Sequence, residues 1–112
     1  MIRARRQVAV LVRSASARNG RAAEALRGAV GLAAGGLAVR VLLLEQGAGA
    51  LALAGGAQKA LATLGLLGHE VLVEAESLAS AGAIVVPPFA RVVRRDEVPA
   101  LIAECDALEA WR

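Results

Sequence analysis

Three apolar runs recur along the first two thirds of the chain, at residues 7–12, 39–44 and 70–74. Continuous runs of this length, rich in Val and Leu, are typical of strands that are buried on both faces of a parallel sheet. The segments between them show helical spacing instead. The pattern therefore predicts three buried strands that are separated by helices.

The intervening segments show where those helices begin and end. Leu26, Ala29, Val30 and Ala33 share one face of a helix that ends at residue 34, before a Gly-Gly stop. A second Gly pair at residues 55–56 divides residues 48–68 into two short helices. After the third strand, we predict a short helix from residue 77 to residue 82.

The last third of the chain is divided by Pro87 and Pro88, which cannot lie inside a central strand. Of the two apolar runs that flank them, we predict residues 90–93 as the fourth strand. Asp96 is then the expected cap of a final helix with an apolar stripe of Val98, Leu101, Ile102 and Cys105. Residues 106–111 form a candidate fifth strand.

Alternation of strands and helices implies parallel strands joined by crossover helices. We therefore predict an α/β fold, a three-layer αβα sandwich with a mostly parallel sheet of about five strands. With 112 residues the chain has room for one domain, which we take as residues 1–112. Its apolar fraction of 57% is high enough to fill a closely layered core.

Composition narrows the class of function. The longest uncharged stretches, residues 46–58 and 77–90, are shorter than the ~18 apolar residues of a membrane-spanning helix. The apolar run that follows the basic N-terminus is too short for a signal peptide. We therefore expect a cytoplasmic protein with no membrane contact. Aromatic residues make up only 2% of the chain, which argues against nucleic acid as a partner.

The chemistry-bearing residues are few. The single cysteine, Cys105, cannot form an internal disulfide, and with the single histidine, His69, it cannot build a metal site. The turn after the first strand has no glycine-rich phosphate fingerprint. We expect no bound cofactor or metal. His69 precedes the third strand, at the end of a sheet away from α/β active sites, and we expect it on the surface.

The order of blocks along the chain resembles the DsrE/DsrF-like family of sulfur-relay subunits. The motifs are hydrophobic blocks, glycines and an acidic residue at a strand end, and they cover nearly the whole chain. They are residues 42–47, Leu64-Gly65, residues 71–78, Gly82, residues 92–95 and residues 98–106. The resemblance implies the α/β fold and a tendency to form homo- or hetero-oligomers with related subunits.

The chain departs from that family at the position that carries sulfur. Sulfur-carrying members hold a persulfide on a cysteine near the end of the third strand, where this sequence has Val73-Glu74. Because the thiolate is the nucleophile in such chemistry, the expected function is that of a non-catalytic subunit. Two alternatives remain: a sulfur carrier that uses Cys105, and a small-molecule or anion-binding α/β module.

Polar side chains follow the three predicted strands at their carboxyl ends, where open α/β sheets bind ligands. They form a candidate crevice, made of Ser14, Ser16, Asn19, Glu45, Glu74 and Glu76. Ordinary helix capping and solvated strand-end charges are the competing interpretation. Arg91, Arg94 and Arg95 flank the fourth strand, either as a solvated edge or as a surface for an acidic partner.

Residues 47–68 point to assembly. Lys59 is the single charged side chain in this segment, whereas a solvated helix normally has a polar face. We therefore expect a second surface of the segment to be buried against another subunit, in an oligomer of closed symmetry.

Overall fold

The computed structural model describes residues 6–14, 21–52 and 55–111. Strands and helices alternate along these segments, as the apolar runs predict. The strands are β1 (Gln7–Val12), β2 (Ala38–Leu43), β3 (Glu70–Glu74), β4 (Ala90–Val93) and β5 (Ala107–Trp111). The helices are α1 (Arg21–Ala34), α2 (Gly56–Leu66), α3 (Ala75–Ala81) and α4 (Val98–Ala103), with 3-10 helices at Glu45–Ala52 and Arg95–Glu97.

The described strands form one five-stranded sheet in the order β4-β3-β2-β1-β5. Every pairing in it is parallel. Val10 is aligned with Val41 of β2, which is aligned with Val71 of β3. With helices on both faces, the fold is the predicted α/β sandwich of three layers, and β3 is an interior strand between β2 and β4.

Each face of the sheet has its own apolar core. On the first face, Leu26 of α1 and Leu61 and Leu64 of α2 pack with the valines of β1, β2 and β3. On the second face, Val98 of α4 packs with the alternate residues of the same strands, among them Leu42 and Leu72. Side chains of a strand alternate between faces, so continuous apolar runs supply both cores.

The path of the chain across the sheet explains why helices lie on both faces. The strands β1 to β4 are added in one direction, whereas β5 lies on the far side of β1. Right-handed crossovers place the connecting helix on opposite faces when the direction reverses. The chain thus leaves β3 toward the first face and β4 toward the second. The carboxyl ends of β3 and β4 flank the resulting switch point, which is where open α/β sheets bind ligands.

Three local expectations are corrected. The third helix begins at Ala75 and not at Ser77, because Glu74 is its N-terminal cap residue. Asp96 does not cap the last helix: the N-terminal cap residue of α4 is Glu97, whose side chain accepts a hydrogen bond of 3.0 Å from the Arg94 N–H at the start of the preceding 3-10 helix. His69 is buried and not on the surface, since its Nδ1 accepts a hydrogen bond of 3.1 Å from the Val39 N–H.

The Ala- and Gly-rich segment at residues 47–68 contributes to the first core through six buried residues, Ala48, Ala50, Ala57, Ala60, Leu61 and Leu64. Leu66 and Leu67 at its end are exposed. Among the described residues, no helix is long and apolar enough to span a bilayer.

Candidate functional site

Glu74 is a buried carboxylate at the carboxyl end of β3. The residue is only 4% exposed, although it is charged. Its Oε1 accepts a hydrogen bond from the Ser77 hydroxyl at 2.5 Å and one from the Arg95 guanidinium at 2.9 Å. A buried charge is tolerated where such partners replace water, so these two bonds hold Glu74 in place.

The local fold brings these three residues together. Ser77 lies one helical turn after Glu74, on the same side of α3. Glu74 is aligned with Val93 of β4, and Arg95 follows that strand by two residues. The Arg95 side chain remains 61% exposed, whereas that of Glu74 is 6% exposed. The ion pair is therefore open to solvent on its arginine side.

The electrostatics of the pair favour the charged carboxylate. The hydrogen bond from Arg95, supported by that from Ser77, holds the pKa of Glu74 below its usual value. Burial acts in the opposite direction but is outweighed. Glu74 is thus an anion at neutral pH and is not poised to exchange a proton.

Glu45 joins the same hydrogen-bonded chain through its backbone. Its N–H donates to the Ser77 hydroxyl at 2.7 Å. The φ angle of Glu45 is 54°, in the left-handed region that residues other than glycine rarely adopt. Gly47 is required two residues later, because a Cβ there would lie 1.7 Å from the carbonyl oxygen of Val12. The turn that follows β2 therefore lies in close contact with the end of β1.

Arg13 follows β1 and completes a crevice of about 570 Å³ at this end of the sheet. The Nε of Arg13 is buried and has no hydrogen-bond partner among the residues that the structure describes. Leu44, Val98 and Pro99 provide apolar walls, and the polar lining consists of Arg13, Glu45, Glu74 and Arg95.

The structure brings some of the predicted site residues together. Glu45 and Glu74 line the crevice. Glu76 is exposed outside it and accepts a hydrogen bond from the Arg95 N–H at 2.9 Å. Ser14 is half-buried after Arg13, while Ser16 and Asn19 fall outside the described residues.

Sequence reasoning missed Arg13, Ser77 and Arg95 as members of this cluster. Arg13 could have been found, because it follows a strand at its carboxyl end in the same way as Glu45. Ser77 could not be connected to Glu74 while the helix was expected to begin at Ser77. Arg95 was taken for a solvated edge or partner surface, because its approach to Glu74 depends on the pairing of β4 with β3.

Cys105 lies at the opposite end of the sheet. Asp106, the next residue, donates its N–H to the carbonyl of Gln7 at the start of β1, 2.8 Å away. The thiol is half-buried against the second core. Burial raises the pKa of Cys105, and the nearby Arg40 offsets this only in part. A thiol in this environment is mostly protonated at neutral pH.

Arg40 is buried beside that thiol on the second face. Its Nη2 lies 2.7 Å from Glu70 Oε1, and its Nη1 lies 2.5 Å from Glu104 Oε1. Burial acts to lower the pKa of Arg40, but these carboxylates outweigh burial and raise it. The pairing connects β2 and β3 to the end of α4. In the described part of the chain, no three His, Cys, Asp or Glu side chains converge to hold a metal ion.

Comparison with known proteins supports the fold. The crystal structure of the YchN protein from E. coli superposes with a TM-score of 0.81 at 15% sequence identity. The match covers 94% of this chain and 98% of YchN. No family description matches the sequence, and no curated protein is similar to it in sequence. The likeness to YchN therefore shows the α/β architecture alone.

Proposed function

We propose that this protein is a non-catalytic subunit of a DsrE/DsrF-like oligomer and does not itself carry sulfur. The observation that carries the proposal is Glu74 in its network with Ser77 and Arg95. It occupies the strand end where, by the resemblance, sulfur-carrying relatives have a cysteine.

The chemistry of that strand end supports this proposal. Sulfur transfer through a persulfide requires a thiolate that attacks the donor sulfur. Glu74 is a carboxylate whose oxygen is engaged by two donors, and it offers no sulfur nucleophile. Cys105 lies at the other end of the sheet, half-buried and with a raised pKa. The residues that line the crevice at the carboxyl ends of the strands do not include Cys105.

A sulfur-loading experiment tests this claim. The protein is incubated with a cysteine desulfurase and isotopically labelled cysteine, and its intact mass is then measured. A sulfur-carrying protein of the DsrE type serves as the positive control for loading. We expect this chain to keep its unmodified mass. A stoichiometric gain of one sulfur that disappears in Cys105→Ser would contradict the proposal and establish Cys105 as a carrier.

An apolar groove supports the oligomeric part of the proposal. The groove, of about 340 Å³, lies between α2 and the proline-containing loop and is lined by Leu51, Ala62, Val85 and Phe89. Val85 is 88% exposed, as is Leu66, which follows Ala62 by one helical turn. Large apolar side chains clustered in this way are a liability on a monomer. A second subunit that covers this groove would remove them from water.

Light scattering coupled to size exclusion tests the assembly. We expect the wild-type protein at micromolar concentration to elute as a closed oligomer. Val85→Glu should shift the mass toward the monomer, because it places a charge in the groove. Leu66→Glu should act in the same direction, because it places a charge on the exposed apolar end of α2, one helical turn after the groove residue Ala62. Leu108→Glu is the matched control, since Leu108 is also exposed but lies on β5. A monomeric wild type, or equal effects of all three substitutions, would contradict this interface.

A further inference from the structure

We propose that the crevice at the carboxyl ends of the strands binds a small zwitterion of the α-amino-acid type, with its carboxylate on Arg13 and its ammonium on Glu45. This inference goes beyond the oligomeric role proposed above and does not depend on it.

The balance of charges in the crevice favours a ligand with both signs. Two arginines and two glutamates line it, and Glu74 and Arg95 form an ion pair with each other. In the described part of the chain, the guanidinium of Arg13 and the carboxylate of Glu45 form no direct ion pair, although Glu45 is exposed and its charge also acts on Arg95 at longer range. A ligand with only a negative charge would be repelled by Glu45, and a ligand with only a positive charge would be repelled by Arg13. A zwitterion satisfies both groups without adding net charge.

The state of Arg13 indicates that a hydrogen-bond acceptor is missing. Its Nε is buried, yet it has no partner among the residues that the structure describes. A buried N–H that makes no hydrogen bond is unfavourable, because it has lost water and gained nothing in exchange. A ligand carboxylate suits a guanidinium, since the two can form parallel charge-assisted hydrogen bonds.

The backbone of Glu45 provides a second, independent indication. A left-handed φ of 54° is costly for a residue with a side chain, and such strain concentrates at functional sites. The hydrogen bond from the Glu45 N–H to Ser77 maintains this conformation. Ser77 in turn is bonded to Glu74. The network around Glu74 thus holds the residue that would receive the ammonium group.

The residues that line the crevice indicate the size and polarity of the rest of the ligand. Leu44, Val98 and Pro99 line it, and its volume of about 570 Å³ is within the usual range of small-molecule sites. Arg13 and Glu45 follow the neighbouring strands β1 and β2. Because both side chains line the same crevice, one small ligand can contact both. The apolar walls favour an aliphatic side chain.

A matched set of probes tests the proposal by isothermal titration calorimetry on the full chain. L-Leucine has both charges, N-acetyl-L-leucine has only the negative one, and L-leucinamide has only the positive one. We expect saturable binding of L-leucine and at least about tenfold weaker binding of each derivative, because each loses one charge-assisted contact. Glycine, which lacks the aliphatic side chain, should bind more weakly than L-leucine.

Substitutions assign the two contacts. Arg13→Gln should weaken binding of L-leucine and of N-acetyl-L-leucine. In Glu45→Gln, the affinity for L-leucine should fall until it equals the affinity of the same variant for N-acetyl-L-leucine. Arg91→Gln is the control, because Arg91 is exposed on β4 and does not line the crevice. No binding of L-leucine or glycine at millimolar concentration would overturn the proposal. So would equal binding of L-leucine and its N-acetyl derivative, which would indicate a plain anion site.

Discussion

The two ends of the sheet each contain a cluster of charged side chains, but the clusters are built differently. At the amino end, each of the three guanidinium nitrogens of Arg40 is within hydrogen-bond or ion-pair distance of Glu70, Glu104 or the carbonyl of Leu101. At the carboxyl end, Glu74 and Arg95 are paired, while Arg13 and Glu45 form no ion pair with any residue that the structure describes.

This difference separates a structural cluster from a candidate binding site. The Arg40 cluster connects three elements, β2, β3 and α4, and each guanidinium nitrogen of Arg40 already has an acceptor in it. The carboxyl-end cluster lines a crevice and, among the described residues, leaves one group of each sign without an ion pair. A charged residue that is buried and fully bonded therefore indicates stability, whereas a charged residue without a partner, in a cavity, indicates a ligand.

The largest stability effect is expected at the amino end. Arg40→Ala should lower the free energy of unfolding by about 3 kcal/mol, because it leaves two carboxylates and the end of α4 without their shared partner. Urea unfolding at neutral pH measures this value. Arg91→Ala, at an exposed position on β4, should change the stability by less than about 0.5 kcal/mol. A small effect of Arg40→Ala would remove the distinction between the two clusters.

A smaller loss of stability is expected when the ion pair at the carboxyl end of the sheet, Glu74 with Arg95, is weakened. Glu74→Gln should lower the free energy of unfolding by about 1 kcal/mol at pH 7, because it weakens two charge-assisted hydrogen bonds, one of them to a solvent-exposed arginine. The same urea series measures it. A loss as large as that of Arg40→Ala would show that the carboxyl-end pair is equally important for the fold.

The pH dependence of this loss has a defined sign. The pKa of Glu74 is lowered in the folded protein, so its contribution is fully present above the ordinary carboxyl pKa of about 4.3. The contribution is lost as the pH falls through the lowered pKa. The stability difference between wild type and Glu74→Gln should therefore shrink on acidification below pH ~4. A difference that grows in acid would contradict the assigned direction.

The smallest effect is expected for the unpaired arginine. Arg13→Gln should change the free energy of unfolding by less than about 0.5 kcal/mol, because its Nε makes no hydrogen bond among the described residues that the substitution could break. Thermal and urea unfolding both measure this change. A loss comparable to that of Glu74→Gln would indicate that Arg13 has a structural partner and weaken the case for a ligand.

Sequence reasoning predicted the architecture well, because the strands are continuous apolar runs and parallel topology follows from their alternation with helices. It also placed Glu45 and Glu74 at one edge, since the carboxyl ends of parallel strands meet there. It could not find that His69 and Arg40, two of the four buried polar side chains among the described residues, are buried near the amino ends of β3 and β2. Each is buried because of partners that lie 30 or more residues away.

The details of the carboxyl-end cluster depend on tertiary approach. Arg95 reaches Glu74 only because β4 pairs with β3. The left-handed backbone of Glu45 is held by a hydrogen bond to Ser77, 32 residues away. Gly47 is needed because the backbone there approaches the end of β1. None of these contacts follows from the local spacing of residues. The pattern of apolar and polar positions therefore predicted the edge of the sheet at which the charges lie, but not which of the charges form ion pairs.

Of the two charged clusters that the structure describes, only the one at the carboxyl end of the sheet leaves charges available to a ligand. The side-chain Nε–H signals of Arg13 and Arg40 distinguish the two clusters in one experiment. Both signals are followed by ¹H–¹⁵N NMR while L-leucine is added to the protein, with Arg13→Gln and Arg40→Lys used to assign them. We expect the Arg13 signal to shift and saturate. The Arg40 signal should stay in place, because Arg40 Nε–H is already hydrogen-bonded to Glu70 at 2.8 Å. An unchanged Arg13 signal, or an equal shift of both, would contradict this expectation.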